Sequence, residues 1–297
     1  MIRDTFGSFH PTVNLLYFTA VIGFAMFFMH PVTLFISFVC ASTYVLYLKG
    51  KKALRMGLIF ILPMLIFTAA LNPLFNHQGA TILAYLPNGN PLTLESAMYG
   101  IAAATMLITV ITWFSCFNTV MESDKIVYLF GRVIPALSLI LAISLRFVPR
   151  FLTQIKIISN AQKCIGQDIS KGSFLQKARH GIKILSMMVT WVLENAIESA
   201  DSMKARGYGM PGRTAFSIYS FDKRDGYAIL YILFCVVTVI TGVLTGAYHF
   251  RYFPTIRGEW TGLSTITVFF VYFALGAFPI IVNIREDLIW KRIESKI

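Results

Sequence analysis

Residues 174–207 read FLQKARHGIKILSMMVTWVLENAIESADSMKARG, and this stretch decides the architecture of the chain. Apolar side chains recur in it at intervals of three and four from Ile182 to Met203, which predicts a long amphipathic helix. The helix is predicted to end at Gly207, because the glycines and the proline in residues 209–212 cannot continue it. A chain that only crosses a bilayer has no use for such an insert, so we expect a cytoplasmic partner to dock on it.

A shorter amphipathic pattern precedes this stretch. It predicts a first helix that starts at Pro149 and ends near Gly166, a residue type that closes helices by adopting the left-handed conformation. Ser173 is then the predicted N-cap of the second helix. The insert is therefore predicted to consist of two amphipathic helices with two exposed tips. The stripe of the first helix is formed by Phe151, Ile155, Ile158 and Gln162.

The sequence on either side of the insert is membrane-like. Hydrophobic residues make up 56% of the chain, charged residues 13%, and the mean hydropathy is +0.67, which indicates a polytopic membrane protein. Six apolar runs approach or exceed the roughly 20 residues that a transmembrane helix needs. A seventh and shorter run, 133–148, is predicted to lie in the membrane interface. The six runs are 12–29, 31–48, 56–75, 97–117, 227–248 and 262–284.

The distribution of basic residues predicts the topology. If six helices cross and both termini lie in the cytoplasm, 24 of the 26 lysines and arginines fall inside, and only Arg251 and Arg257 fall outside. Residues 76–91 contain neither lysine nor arginine, as expected for an external loop. The net charge of +12 is therefore attributed to topology and anionic lipid, and nucleic-acid binding is not predicted.

The predicted fold is all-α, with about six transmembrane helices and a helical cytoplasmic domain. We divide the chain into residues 1–132 with four transmembrane helices, 133–225 with the insert, and 226–297 with a transmembrane hairpin and a cytoplasmic tail. The four cysteines and five histidines lack ligand spacing, so neither a metal nor a cofactor is predicted. The chain has no phosphate-binding loop, so it is not expected to hydrolyse nucleotide itself.

Several short segments together resemble one family. They read HPTVNLL at 10–16, NPLF at 72–75, LRFVPR at 145–150, AQK at 161–163 and ARGY at 205–208. The chain is similar in these segments to the transmembrane T component of energy-coupling factor (ECF) transporters, which import vitamins, cobalt and nickel and are driven by two ABC-type ATPases. The resemblance implies that the insert is a coupling domain whose helices end in arginine-centred motifs, one for each ATPase.

The second of these motifs is formed by Ala205, Arg206 and Gly207. A helix end explains a cation followed by glycine without any partner, because cations favour the negative end of the helix dipole. The resemblance adds the expectation that Arg206 docks into an ATPase, where a guanidinium suits a buried, forked contact with a carboxylate or a carbonyl.

The first motif departs from the pattern of the family. Within Lys163, Cys164, Ile165 and Gly166, the second and third positions hold Cys and Ile where alanine and arginine are usual. An isoleucine cannot make a charge-assisted contact, so this tip docks by apolar insertion, uses Lys163, or faces a different ATPase surface. The hypothesis that follows is a nonidentical pair of ATPases.

Arg146 and Arg150 flank Pro149 where the chain is predicted to leave the membrane. Two interpretations of these arginines remain open at this point. Their side chains either reach lipid phosphates or make a contact at a bend in the coupling domain.

The resemblance implies a non-enzymatic scaffold that holds a small substrate-binding membrane protein and transmits ATPase closure. One alternative is a membrane enzyme for lipid or isoprenoid diphosphates, which would use the acidic row Glu194, Glu198 and Asp201 with a divalent cation; a solvated helix face is the simpler interpretation of that row. A secondary transporter that works alone is disfavoured, because the predicted spans carry no mid-span charge and no evident repeat.

Overall fold

The computed structural model describes residues 4–85, 87, 89–168, 173–210, 219–246, 250–258 and 262–295. The fold is 79% helical, which confirms the predicted all-α class. The chain divides into two compact units, residues 1–122 with 219–297, and residues 123–218. The helices of the first unit are α1 (Pro11–Phe27), α2 (Pro31–Phe75), α3 (Leu94–Val120), α7 (Lys223–Leu244) and α8 (Leu263–Glu294).

The first unit also contains two short antiparallel ribbons. One pairs β1 (Ile82–Tyr85) with β2 (Pro91–Thr93), and the other pairs β3 (Phe250–Arg251) with β4 (Arg257–Gly258). The second unit contains α4 (Ser123–Val133), α5 (Pro135–Cys164) and α6 (Phe174–Ala205).

A single glycine reverses the direction of the chain within α2. Gly50 has φ +70° and ψ −174°, a conformation that L side chains rarely adopt, and it separates two helical arms. Lys49 donates to Ser115 Oγ (2.7 Å) near the end of α3, whereas Asn72 donates to Ser96 O (2.8 Å) near its start. The second arm therefore runs opposite to the first, and the reversal falls between the predicted spans 31–48 and 56–75.

Four helices among the described residues are long and apolar enough to cross a membrane. They are Pro31–Gly50, Leu94–Val120, Lys223–Leu244 and Leu263–Glu294. The apolar segments Pro11–Phe27 and Pro63–Phe75 are shorter, so the structure supports a membrane protein but does not confirm the count of six spans. The helix α1 ends at Phe27 because the backbone is extended at Phe28 and His30, before α2 begins at Pro31.

The core of the first unit is aromatic. Phe6, Tyr17, Phe18, Tyr44 and Trp113 are fully buried and meet mainly through tilted or edge-to-face ring contacts. The Trp113 indole N–H donates to Ser37 Oγ (3.0 Å), so its single polar group is satisfied inside the core. The cluster holds α1, α2 and α3 together.

The N-terminal segment is fastened to both C-terminal helices. Asn283 on α8 accepts from the Phe6 backbone N–H (3.0 Å) and donates to Asp4 Oδ1 (2.9 Å). Asp225 on α7 accepts from the backbone N–H of His10 (3.1 Å) and caps its own helix by accepting from Asp222 (3.0 Å). Since Asn283 and Asp225 are both buried, these bonds join the segment before α1 to the first turn of α7 and to the interior of α8.

We expect Asn283→Ala to lower the stability of the first unit. The substitution leaves the Phe6 N–H buried without its acceptor, which costs about 1–3 kcal/mol, so the detergent-solubilised protein should unfold at a lower temperature. Thr43→Val is the matched control, because the Thr43 hydroxyl is exposed and bonds only to Val39 O on its own helix. Equal melting temperatures for the two variants would contradict the anchoring role of Asn283.

The second unit corrects one predicted boundary. The helix expected to begin at Pro149 begins at Pro135, and the apolar run 133–148 is continuous with it from that residue on. Proline is well tolerated in the first helical turn, whereas an interior proline such as Pro149 removes one hydrogen bond without always ending a helix that is long on both sides. The helix α5 is not among the described helices that are apolar enough to cross a membrane.

Candidate docking tips

The helices α5 and α6 pack antiparallel. The rings of Phe151 and Trp191 meet edge to face with their centroids 5.9 Å apart, and Lys183 donates to Gln167 Oε1 (3.1 Å) beyond the end of α5. Ser173 precedes α6 as predicted, and its backbone N–H donates to the side chain of Gln176 (3.1 Å) in a capping box. The ends of the two helices therefore point in opposite directions.

The end of α6 is closed by a left-handed glycine. Gly207 has φ +79°; its N–H donates to Lys204 O (2.9 Å), and the N–H of Tyr208 donates to Met203 O (3.0 Å). Arg206 is the last residue before this glycine, with φ −86° and ψ 10°. We call residues 204–208 the α6 tip.

The end of α5 has the same backbone structure. Gly166 has φ +78°; its N–H donates to Lys163 O (3.1 Å), and the N–H of Gln167 donates to Gln162 O (2.9 Å). Ile165 precedes the glycine with φ −92° and ψ 18°. We call residues 163–167 the α5 tip; its residues correspond one to one with those of the α6 tip, so Ile165 occupies the position of Arg206.

The two tips carry different side-chain chemistry. Arg206 and Lys204 are exposed, and among the described residues the Arg206 guanidinium has no hydrogen-bonding or ionic partner. Ile165 is 66% exposed, and the neighbouring Lys163 lies 3.9 Å from an Asp168 carboxylate oxygen. Such an exposed pair contributes little stability, but it offsets the lysine charge. The α6 tip thus presents a cation, and the α5 tip presents an apolar side chain.

The spacing of the tips follows from the helix lengths. Lys183 lies beside the α5 tip, and Arg206 lies 23 residues further along the same helix. At about 1.5 Å of rise per residue, the two tips are about 35 Å apart. A single partner domain less than about 35 Å across therefore cannot contact both tips at once.

A shallow apolar groove of about 410 Å³ lies between the two helices. Ile184 and Met188 form its floor and are buried, while Phe151 and Ile155 contribute from α5. The adjoining row on α6 remains more than half exposed. This row consists of Ile182, Leu185, Val189, Leu193 and Ile197.

Arg150 is exposed but contacts an aromatic ring of the second unit. Its guanidinium carbon lies 5.7 Å from the centre of the Trp191 ring, within range of a cation–π contact. This contact favours the interpretation within the domain over the lipid phosphates for Arg150, although Arg150 and Arg146 are both exposed. Trp191 is not among the site residues predicted from the sequence; the available signal is a single tryptophan in the apolar stripe of the second predicted helix.

The acidic row of α6 is not arranged to hold a metal ion. Glu194, Glu198 and Asp201 are exposed, and the described residues contain no group of three histidine, cysteine or acidic side chains placed to hold a metal ion. Of the cysteines, only Cys164 is exposed; the other three are buried in the first unit.

These features define a polytopic helical membrane protein with a separate helical unit that carries two matching tips. Residues 8–216 match the family described as Cobalt transport protein, CbiQ. Because this match covers well over half of the chain, the chain belongs to that family. The resemblance to the T component of ECF transporters is thereby confirmed.

Curated relatives agree with this assignment. The chain is 28% identical over 151 residues to the "Energy-coupling factor transporter transmembrane protein EcfT" of Lactobacillus helveticus, which covers 48% of this chain and 54% of the relative. It is 34% identical over 134 residues to the EcfT of Streptococcus thermophilus, covering 45% and 51%. An "Uncharacterized protein MG181 homolog" of Mycoplasma pneumoniae is 28% identical over 179 residues, covering 56% and 41%.

The chain spans about half the length of the curated relatives it matches. The two EcfT relatives are named as transporter components, and they lend no support to the alternative of a membrane enzyme that acts on lipid or isoprenoid diphosphates.

Proposed function

We propose that this protein is the transmembrane scaffold of an ECF-type importer for a vitamin or a transition metal. It holds a small substrate-binding membrane protein and couples it to two ABC-type ATPase subunits. The observation that carries the proposal is the pair of identically capped helix ends, one closing α5 beside Lys183 and one closing α6, about 35 Å apart. Two similar docking points at that separation suit two similar subunits.

The proposed location is the plasma membrane, with six crossings and both termini in the cytoplasm. Six apolar helical segments alternate in direction once the reversal at Gly50 is included. The segments Pro11–Phe27 and Pro63–Phe75 would cross with help from flanking residues, since a short span is accommodated by local thinning of the bilayer. The excess of lysine and arginine in the predicted cytoplasmic segments supports this orientation.

The α6 tip is proposed to dock through Arg206 into one ATPase, with Ala205 and Gly207 allowing close approach of its backbone. The α5 tip, from Lys163 through Cys164 and Ile165 to Gly166, is proposed to dock into the other. Because the two tips share a backbone and differ in charge, we propose that the two ATPases are not identical.

The apolar groove and the exposed row on α6 are proposed to contact the substrate-binding protein. An apolar surface of this extent is rarely left open to water and usually marks an interface. We expect Leu185→Glu to abolish recovery of the substrate-binding protein, because the new carboxylate would be buried against apolar atoms, while both ATPases still co-purify. Ser186→Glu is the matched control, since Ser186 is an exposed neighbour that does not line the groove. Loss of the ATPases from Leu185→Glu would count against this assignment.

The proposed function as a whole is tested by reconstitution. When the chain is purified from its native membranes in mild detergent, ATPase subunits should co-purify with it. Proteoliposomes that contain the purified complex should take up substrate only when ATP is supplied. Uptake by the chain alone without ATP would instead establish a secondary transporter. Metal-dependent turnover of an isoprenoid diphosphate by the chain alone would establish an enzyme.

A further inference from the structure

The two short ribbons lie together at one end of the first unit. The Ala80 backbone N–H donates to Pro254 O (3.1 Å), which joins the loop before β1 to the loop between β3 and β4. Tyr252 anchors this region by donating to Met29 O (2.8 Å) just past α1. Burial raises the pKa of Tyr252 to about 12, so its hydroxyl keeps its proton at neutral pH. We call residues 80–85 and 91–93 with 250–258 the paired ribbons.

The β1 strand exposes apolar side chains along its whole length. Ile82 is 48% exposed, Leu83 55% and Tyr85 69%, and Ala84 is exposed as well. In contrast, Thr93 on the partner strand β2 is buried. Four consecutive exposed apolar residues are unfavourable in water, at about 25 cal/mol for each Å². Covering this strand with an apolar surface would therefore be favourable.

The apolar surface of β1 continues the surface of two helices. Phe75 at the end of α2 is 81% exposed, and Leu94 at the start of α3 is 38% exposed. Both helices belong to the unit that carries the membrane-length spans. No lysine or arginine occurs from residue 56 to residue 124. Residues 76–81 separate Phe75 from β1, whereas its partner strand β2 leads directly into Leu94 and α3.

The second ribbon places two cations side by side. Arg251 lies directly across from Arg257 in the β3–β4 pairing, and both are exposed. Like charges in opposite positions repel each other and destabilise a ribbon. Within the described parts of the chain neither guanidinium meets a carboxylate. An anion between or above the two arginines would remove the repulsion, and guanidinium groups bind phosphate well.

We propose that the paired ribbons are an anchor for the lipid interface. The side chains of β1, with Tyr85, enter the boundary between headgroups and acyl chains, and Arg251 and Arg257 bind lipid phosphates. One edge of β1 is paired with β2, and no other strand of the described residues pairs with the opposite edge. Because unpaired backbone groups are not tolerated in hydrocarbon, the ribbon lies in the hydrated interface, roughly 5–10 Å deep.

The proposal is tested with a fluorophore in nanodiscs of phosphatidylglycerol and phosphatidylcholine. Leu83→Cys and, as a matched control in the polar turn of the same ribbon, Asn90→Cys are each labelled with an environment-sensitive dye in a Cys164→Ser background. Nitroxide lipids then quench from the headgroup, from a shallow acyl position or from a deep one. We expect at least about twofold stronger shallow quenching and a blue-shifted emission at residue 83 relative to residue 90.

A second arm tests the arginines. Replacing both Arg251 and Arg257 with glutamine should reduce shallow quenching at residue 83 by about half, because the ribbon loses its phosphate contacts. Arg285→Gln on α8 should leave the quenching unchanged. Emission and quenching at residue 83 equal to those at residue 90 would overturn the proposal. So would shielding of residue 83 that appears only when a substrate-binding protein is present, which would identify a protein interface instead.

Discussion

Replacing Arg206 with glutamate abolishes the recovery of one ATPase with the chain, if the α6 tip docks as proposed. The guanidinium is exposed and without a partner among the described residues, so the substitution leaves the fold of the second unit intact. In the complex, a carboxylate would face the group that receives the arginine. Truncating one side of a buried charged contact costs about 2–5 kcal/mol, which corresponds to about 30-fold to about 5,000-fold in affinity.

The measurement is co-purification from membranes, followed by titration of the isolated ATPase onto the chain in nanodiscs. Arg179→Glu is the matched control, because Arg179 is exposed on the same helix, far from the α6 tip, and the charge change is identical. Wild-type recovery of both ATPases with Arg206→Glu would remove the α6 tip from the interface. Equal losses from Arg179→Glu would indicate a general effect of charge on the surface of α6.

If the α5 tip docks as proposed, we expect Ile165→Asp to weaken binding of the other ATPase. The side chain is 66% exposed in the isolated chain, so its contribution arises only when a partner covers it. Burial of an isoleucine is worth about 1.5–3 kcal/mol, which predicts a loss of about 10-fold to about 150-fold. Affinity of the isolated subunit for the chain in nanodiscs measures this loss, and the complex with the first ATPase remains.

Ile165→Arg tests whether the ATPase surface that receives the α5 tip is apolar or acidic. It creates at the α5 tip the side chain that the α6 tip already has, on the same backbone. An apolar surface on the ATPase cannot pair with a guanidinium, so we expect Ile165→Arg to bind the ATPase as weakly as Ile165→Asp does. Ile165→Leu should bind with unchanged affinity. Tighter binding of Ile165→Arg would mean that both tips meet acidic surfaces and would remove the reason to expect nonidentical ATPases.

The family resemblance already places Ile165 where an arginine is usual, so its correspondence with Arg206 is predicted from the sequence. Spacing placed Gly166 and Gly207 near the ends of amphipathic helices, because left-handed glycines close helices in a recognisable way. The matching carbonyl and N–H partners at the two ends became visible only in three dimensions. The same is true of the ion pair between Lys163 and Asp168, which offsets the one cation that the α5 tip could have used.

The position of a proline predicted a helix boundary incorrectly in one case. The sequence pattern predicts that the first amphipathic helix starts at Pro149, whereas α5 runs through this residue from Pro135. A proline removes one N–H and crowds one turn, and the residues on both sides decide whether the helix survives that loss. The reversal at Gly50 is the opposite case, since a single residue with φ +70° divides the two arms of α2.

The sequence by itself determined the helical class, the membrane-like composition, the asymmetric charge and the position of both tips. These features depend on local periodicity and on residue type, which a single chain displays directly. Only the tertiary structure decided which distant residues meet: Asn283 with Phe6, Arg150 with Trp191, and the loop of Ala80 with that of Pro254. Such contacts join segments far apart in the chain, and no local pattern encodes which of many possible partners will be brought within reach.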